Sequence, residues 1–237
     1  MSESAASTPA APATARPPRA PRPRHYGLRH DCEKYYFIIL GTTRPPLHRK
    51  LKAWIWNFEL HAILLYRFGQ LAMVLWERSK LLGAAPVAVF LVFQYLVRLV
   101  FHLEIPHRCR IGPAFHLGHP YNIILGPTEI GANCNVTHGV TIGMGLSASG
   151  RGVPTLGDNV WIGPGAILTG PIHVGDGATI AAGSVVSRDV PPRALVAGNP
   201  ARVVSADYDN TALLGYAMPA LAAAEPPAPT APVAPAV

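Results

Sequence analysis

The sequence has few charged residues and few cysteines. Asp, Glu, Lys and Arg make up 14% of the chain, and hydrophobic residues make up 49%. Cys32, Cys109 and Cys134 form no Cys-x-x-Cys pair and are odd in number, which argues against a disulfide framework and against a zinc site. The N-terminus has no apolar segment of the kind that a secretory signal needs. We therefore expect a cytoplasmic protein without a metal.

Both ends of the chain have low-complexity composition. Residues 1–24 are rich in Ala, Pro and Arg, and the extension over residues 205–237 becomes Pro/Ala-rich from Ala217. Such segments bury too little apolar surface to repay ordering, so we predict disordered tails. The formal net charge of +7 would suit an anionic partner, but several of the arginines lie near the N-terminus. A solvated basic tail explains them better than a groove, and we predict no nucleic-acid partner.

Residues 25–103 have long apolar stretches without the short period of a β-protein, which predicts a small helical domain. Within it, residues 81–97 are apolar apart from Gln94 and are interrupted by Pro86. The marginal length favours a helix buried against a neighbour or another subunit over a membrane span. Peripheral association with the inner face of the membrane is the intermediate alternative.

The C-terminal half carries an internal repeat of six residues. An apolar residue returns at every sixth position, and a second small or apolar residue follows four places after each of them. This period fits neither an amphipathic helix nor simple alternation; it is typical of short strands that turn three times per coil. The repeat predicts a parallel β-helix over residues 104–204. The first inward positions are Leu156, Ile162, Leu168, Val174, Ile180 and Val186.

The same phase continues upstream, slips by one residue after Leu117, and is broken once later. The glycine-rich break at residues 144–154 predicts a loop extruded from the β-helix. Cys109 and Cys134 fall on second inward positions, so we expect buried core residues rather than reactive thiols. The upstream first positions are Ile105, Ile111, Leu117, Ile124, Ile130, Val136 and Ile142.

Two histidines fall on the same outward position of successive coils. His119 comes two residues after Leu117, and His138 comes two residues after Val136. Because coils stack at the strand spacing, we expect the two imidazoles on one edge, ~4.8 Å apart. Their grouping with the acidic Glu104 and a glycine-rich loop favours a functional site. The alternatives are a hydrogen-bonded pair at a subunit interface and a zinc site, for which the repeat places no further ligand.

Several short motifs accompany the repeat, and with them the chain resembles the serine acetyltransferase group of hexapeptide-repeat acyltransferases. The resemblance covers residues 104–204 and, more loosely, residues 61–103. It implies a left-handed parallel β-helix preceded by a small helical domain. The motifs are Glu104-Ile105, Ile111-Gly112, Leu117-Gly118-His119, Val140-Thr-Ile-Gly143, Val160-Trp-Ile-Gly163, Ala181-Ala-Gly-Ser184, Val190-Pro-Pro192 and Ala197-Gly-Asn-Pro-Ala-Arg202.

The resemblance also implies a homotrimer, or a dimer of trimers, that uses acetyl-CoA as its acyl donor. His119 falls on the family's catalytic histidine, and Glu104 falls on the aspartate that orients it. A positioned imidazole can take the proton of a hydroxyl group while its oxygen attacks the thioester. A carboxylate on the other ring nitrogen fixes the tautomer and stabilises the imidazolium.

The resemblance further implies that acetyl-CoA binds in the groove between adjacent β-helices. Backbone amides around Gly145, Gly163, Pro164 and Ala182 match the positions where the family holds the pantetheine arm and the thioester. Pro164 itself has no N–H to donate. Arg202 and the basic helical domain are expected to face the phosphates of the cofactor.

Three departures from the family pattern bear on the acceptor. Gly118 and Val153 stand where serine acetyltransferases have an aspartate and a second histidine, and Arg44-Pro45-Pro46 replaces an aspartate of the helical domain. Without charged partners, an amino-acid substrate is left unpaired. We therefore expect the colanic-acid type of exopolysaccharide acetyltransferase, in which His138 assists His119 or binds a sugar.

Two alternatives remain: serine O-acetyltransferase in L-cysteine biosynthesis, and a non-catalytic β-helix scaffold. The partnership of serine acetyltransferases with cysteine synthase depends on a C-terminal isoleucine. Because this sequence ends in Ala-Pro-Ala-Val237, we do not expect that complex.

Overall fold

A computed structural model describes residues 27–147 and 150–219. The predicted N-terminal tail, and the predicted C-terminal tail beyond residue 219, lie outside these ranges. Four helices precede the strands, and a short helical turn follows them. The helices are α1 (Leu28–Leu40), α2 (Leu47–Trp56), α3 (Phe58–Arg78), α4 (Lys80–Phe101) and α5 (Thr211–Leu214).

The strands form a triangular prism, the left-handed parallel β-helix that the resemblance implies. Each side of the prism is one sheet, with the strand orders β1-β4-β9-β12, β2-β5-β10-β13-β15-β16 and β3-β6-β11-β14. All ladders in these sheets are parallel except the closing pair of β15 and β16. The strands are β1 (Arg110–Ile111), β2 (His116–Gly118), β3 (Ile124–Leu125), β4 (Glu129–Ile130), β5 (Asn135–Thr137), β6 (Thr141–Gly143), β7 (Gly145–Ser147), β8 (Gly150–Gly152), β9 (Thr155–Leu156), β10 (Trp161–Ile162), β11 (Ile167–Thr169), β12 (His173–Val174), β13 (Thr179–Ile180), β14 (Val185–Val186), β15 (Leu195–Gly198) and β16 (Ala201–Ser205).

The core of the prism consists of the predicted inward residues. Those of the hexads from Leu156 to Val186 are all buried and stack in register, as Ile162 does on Ile180. Cys109 and Cys134 are also buried, which confirms that they are core residues. Burial raises the pKa of the Cys109 thiol to about 11 and that of Cys134 to about 12, so neither is a thiolate near neutral pH.

The predicted upstream phase is wrong at one position. Leu125, not Ile124, pairs with Ile142 and is buried, whereas Ile124 is 44% exposed. The corner before β3 is longer than in a regular hexad, and the side that follows is one residue shorter. Together the two irregularities shift the repeat by one residue. The sequence pattern shows this shift but places Ile124, not Leu125, at the inward position.

The break at residues 144–154 contains an antiparallel hairpin of β7 and β8. Its strands pair from Gly145 and Gly152 towards the turn. The ladder of the prism resumes across the insertion, where Ile142 pairs with Leu168. The hairpin therefore projects from a corner without disturbing the core.

Side chains of α1 and α3 satisfy the open edge of the first coil. The Arg67 guanidinium donates to Asp31 at 2.8 Å and to the backbone oxygens of Ile111 and Gly112 at 2.8 and 2.7 Å. The other carboxylate oxygen of Asp31 accepts the backbone N–H of Phe115 at 3.0 Å. Both charged side chains are buried. The pair therefore fixes the helical domain to the end of the β-helix.

A buried lysine makes a second connection between the two parts. Lys34 of α1 donates to the side-chain oxygens of Asn133, at 2.8 Å, and of Asn135. Burial lowers the pKa of Lys34 to about 7, although the nearby Asp31 charge acts in the opposite direction. The ammonium group is thus held inside the protein at a cost that depends on pH.

α3 and α4 are both long and apolar enough to cross a membrane by length and composition. For α3, 44% of the most apolar window is buried, so it packs as a core helix. For α4 only 6% is buried, and its fully buried residues are Gly83 and Phe90, which pack against Trp76 and Gly69. The burial expected for residues 81–97 is therefore limited, within one chain, to a narrow stripe of α4.

We expect R67M to lower the free energy of unfolding by about 3 to 5 kcal/mol, because it leaves the Asp31 carboxylate buried without its charged partner. Urea unfolding followed by circular dichroism measures the change. The matched control is R110Q, which breaks the exposed Arg110–Glu129 pair and should cost at most about 1 kcal/mol. Equal losses in the two variants would contradict a special role for the buried pair.

We expect the free energy of unfolding to rise from about pH 7 to about pH 8.5, and to rise less in K34M. An unfolded lysine has a pKa of about 10.4, so in this window the unfolded chain binds more protons than the folded one. The contribution of Lys34 approaches about 1.4 kcal/mol per pH unit. Urea titrations across this pH window measure the contribution, and K52M, which replaces an exposed lysine, is the control. The prediction is refuted if the free energy of unfolding changes equally with pH in the wild type and in K34M.

Candidate active site

One corner of the prism carries the two predicted histidines. Leu117 pairs with Val136, and His119 and His138 each lie two residues further along the chain. Their ring centroids are 6.2 Å apart with the planes tilted by 60°. The predicted placement on one edge is therefore confirmed, with a wider spacing than that of the strands. The His119 side chain is 86% exposed, so this chain alone leaves it open to solvent.

The same corner continues over two further coils. Val136 pairs with Ile162, and Ile162 pairs with Ile180, so Pro164 and Ala182 occupy the position of the histidines on the next coils. Backbone hydrogen bonds from Gly165 to His138 and from Gly183 to Pro164 join these coils. We call the column of His119, His138, Pro164 and Ala182 the histidine ridge.

A carboxylate from the helical domain contacts His119. Oε1 of Glu59, at the start of α3, accepts the backbone N–H of His119 at 2.9 Å and lies 3.6 Å from Nδ1 of its ring. His119 has a φ of 52°, a left-handed conformation that is uncommon for residues other than glycine. The hydrogen bond from the His119 N–H to Glu59 supports the backbone at this strained position.

Glu104 does not contact His119 in this chain. Its backbone pairs with Ile124 at the edge of the third sheet, and its carboxylate forms an ion pair with Arg98 of α4 at 3.4 Å. The sequence-based assignment of Glu104 as the orienting group thus differs from the geometry, in which Glu59 has that position. The repeat gives no signal for Glu59, because this residue lies in α3, sixty positions before His119, and reaches it only through the docking of that helix.

His116, to which the sequence assigns no role, also faces Glu59. Its Nε2 lies 3.8 Å from Oε2, and neither ring nitrogen has a hydrogen-bond partner among the described residues. Burial lowers the pKa of His116 to about 3, and the positive charges of Lys34 and His119 lower it further. His116 is therefore neutral at physiological pH, and the negative charge of Glu59 remains available to His119.

The residues predicted to hold the cofactor are divided between two corners. Gly163, Pro164 and Ala182 lie at the ridge, whereas Gly145 lies beyond β6, at the next corner of the prism. The Gly163 N–H donates to Ile180 at 2.8 Å and is not available to a ligand. Ala182 is exposed, and within the described ranges its N–H has no backbone acceptor. Arg202 is exposed on β16.

The ridge beyond the histidines has only small side chains. At Gly165 and Gly183 an added methyl group would meet no atom within 4 Å, so both positions are open. A long, thin molecule such as the pantetheine arm can therefore lie close to the backbone there. Across residues 27–147 and 150–219, no group of three or more His, Cys, Asp or Glu side chains is arranged to hold a metal ion.

Comparisons with known proteins agree with this geometry. Residues 154–188 match the family Bacterial transferase hexapeptide (six repeats). The serine acetyltransferase of Mycobacterium tuberculosis is 36% identical over 146 residues, which are 61% of this chain and 60% of that enzyme. The chain thus spans less than two thirds of the length of this curated relative.

Two solved structures have the same fold. Serine acetyltransferase from Neisseria gonorrhoeae is 32% identical with a TM-score of 0.59, over 77% of this chain and 68% of that one. Serine acetyltransferase from Brucella abortus in complex with coenzyme A is 29% identical with a TM-score of 0.61, over 76% and 67% of the two chains. Given this identity, coverage and shared architecture, the chain belongs to the serine acetyltransferase family of hexapeptide-repeat transferases.

Proposed function

We propose that the protein is a serine O-acetyltransferase, which transfers the acetyl group of acetyl-CoA to the hydroxyl of L-serine. The observation that carries this proposal is the exposed His119 on the ridge, backed by the Glu59 carboxylate, in a chain of the serine acetyltransferase family. The sugar acceptor expected from the sequence is wrong, because the relatives and the structural neighbours described above are serine acetyltransferases. We therefore propose L-serine, the alternative acceptor considered from the sequence, in place of a sugar.

In the proposed reaction, His119 acts as the general base. An alcohol is a poor nucleophile, so Nε2 of His119 takes the proton of the serine hydroxyl while its oxygen attacks the thioester carbonyl. The Nδ1–H faces Glu59, which selects the tautomer and stabilises the imidazolium. His119 then returns the proton to the sulfur that leaves as CoA. His138, on the next coil, is proposed to assist by holding the substrate oxygen in line.

We propose that acetyl-CoA supplies the acyl group from a groove between two copies of the chain. The coenzyme A complex of the Brucella abortus enzyme supports this donor. In one chain β6 separates Gly145 from the ridge, and packing a second β-helix against the ridge would bring its Gly145 corner towards His119. The Ala182 N–H is positioned to donate to the donor's pantetheine arm, and Arg202 to pair with its phosphates. A homotrimer satisfies this arrangement and covers His119.

We propose the cytoplasm, at the inner face of the membrane, as the location of the enzyme. All three cysteines are free, which fits a reducing compartment. The support for the membrane face is the outer side of α4, which is apolar and is not covered by the residues that the structure describes.

The first test is the acceptor. Purified protein with acetyl-CoA should release CoA rapidly when L-serine is added, and H119A should lower turnover by about 10² to 10⁴-fold because the general base is lost. Thiol release followed with a chromogenic disulfide measures the rate. H173A removes another exposed histidine and is the matched control. CoA release that does not depend on serine, or equal rates in the two variants, would refute the proposal.

The second test is the orienting carboxylate. E59Q keeps an oxygen for the His119 backbone N–H but removes the charge, so kcat should fall roughly tenfold to a hundredfold with little change in KM. E104Q is the control and should leave kcat unchanged. A loss of kcat in E104Q alone would restore Glu104 to the orienting role.

A further inference from the structure

α2 has the composition of a helix that binds a membrane surface. Its ten residues contain four basic or titratable cationic side chains and no Asp or Glu. Its exposed side chains include large apolar residues, of which Trp56 is 82% exposed. Leu47, Leu51, Trp54 and Ile55 recur at helical spacing and form one apolar face. A basic amphipathic helix with tryptophan on its apolar face is typical of segments that lie in the headgroup layer of a bilayer. The exposed apolar residues are Leu47, Leu51, Trp54, Ile55 and Trp56.

α4 adds a larger apolar surface to that of α2. The helix has 22 residues, about 33 Å in length, and carries only Lys80 and Arg98 as charged side chains, one near each end. Its exposed apolar side chains run along almost the whole helix. These side chains are Leu81, Leu82, Val89, Leu91, Val92, Phe93, Tyr95, Leu96, Leu99 and Val100.

The start of α3 connects the end of α2 to the C-terminal end of α4. Trp56 ends α2, and Phe58 begins α3 two residues later. Phe58 stacks on Phe101 at the end of α4, with ring centroids 3.7 Å apart. The exposed tryptophan of α2 therefore lies beside the C-terminal end of α4. Glu59, which contacts His119, is the next residue after Phe58, so this end also adjoins the proposed active site.

We propose that α2 and the outer side of α4 form a docking surface for an anionic phospholipid bilayer. The cationic side chains of α2 pair with lipid phosphates while its tryptophans enter the headgroup layer. α4 lies along the surface with its outer side in the apolar layer. It does not span the bilayer, because its inner stripe packs on α3, and α3 is fixed to the β-helix by Arg67. This inference rests on the proposed membrane location and is independent of acetyl transfer.

The charge distribution favours lipid over a second copy of the chain as the occupant. An interface between two copies related by a two-fold axis brings each patch against itself. Arg49, Lys50 and Lys52 would then face their own counterparts, and α2 has no acidic residue to neutralise them. An anionic bilayer neutralises the same residues and accepts the apolar side chains. The whole chain also has a net charge of +7, which attracts it to such a surface.

Vesicle flotation with the full-length protein tests the proposal. The protein should float with vesicles of mixed phosphatidylcholine and phosphatidylglycerol, and binding should weaken as salt is added. K50Q/K52Q should reduce partitioning roughly fivefold for each charge removed. I55S/W56S should reduce it by at least about tenfold, because two large apolar side chains no longer enter the bilayer.

The matched control is R188Q/V204S, which removes one exposed charge and one exposed apolar side chain on the β-helix and should float like wild type. Absence of flotation, or equal flotation of I55S/W56S and the control, would overturn the docking surface. A smaller assembly of I55S/W56S in sedimentation, with no vesicle binding by wild type, would assign the face to a second copy instead. Serine-dependent CoA release, measured without vesicles on the same preparations, separates a failure of docking from a failure of the proposed activity.

Discussion

The open edge of the first coil is the constraint on which the rest of the structure depends. A β-helix ends in strands whose backbone N–H and C=O groups have no neighbouring coil, and unpaired edges of this kind are costly when buried. Here the helical domain supplies the partners. The Arg67 guanidinium donates to two carbonyl oxygens, Asp31 accepts the N–H of Phe115, and the Tyr35 hydroxyl accepts the N–H of Leu117 at 2.8 Å. The same contacts thus pack the helices against the β-helix and satisfy the backbone groups at its first edge.

Glu59 is the last member of this series and the one that joins the fold to the chemistry. The N–H groups of Phe115, Leu117 and His119 alternate along the edge, and each is accepted by a side chain from α1 or α3. Arg67 and Glu59 are eight residues apart, about two turns of α3, so the anchor that fixes one also fixes the other. The carboxylate beside the proposed base is positioned by the same interaction that closes the β-helix.

The sequence predicts what is periodic and misses what is not. The hexads predict the core and bring His119 and His138 to one corner, because stacking in register follows directly from a fixed coil length. The pattern wrongly assigns Ile124 to the core because the longer corner before β3 and the shorter side after it nearly cancel. The repeat shows only the net slip of one residue. It misses Glu59 because the contact with His119 joins residues sixty positions apart and depends on how α3 docks. Family resemblance does not supply Glu59 either, since it points to Glu104.

The way in which the helical domain docks also determines what it leaves uncovered. The buried polar and charged residues of α1 and α3 are directed at the edge of the β-helix, and α4 contacts that edge along one side, where the Gln94 side chain donates to the backbone oxygen of Ile105. α4 packs on α3 through Gly83 and Phe90, so most of its apolar side chains point away from the core of the chain. An apolar surface of this length on a soluble domain is rarely left to water. The contacts that position Glu59 beside His119 therefore also leave this apolar side of α4 exposed among the described residues, and the basic residues of α2 support the proposal that it docks on an anionic bilayer.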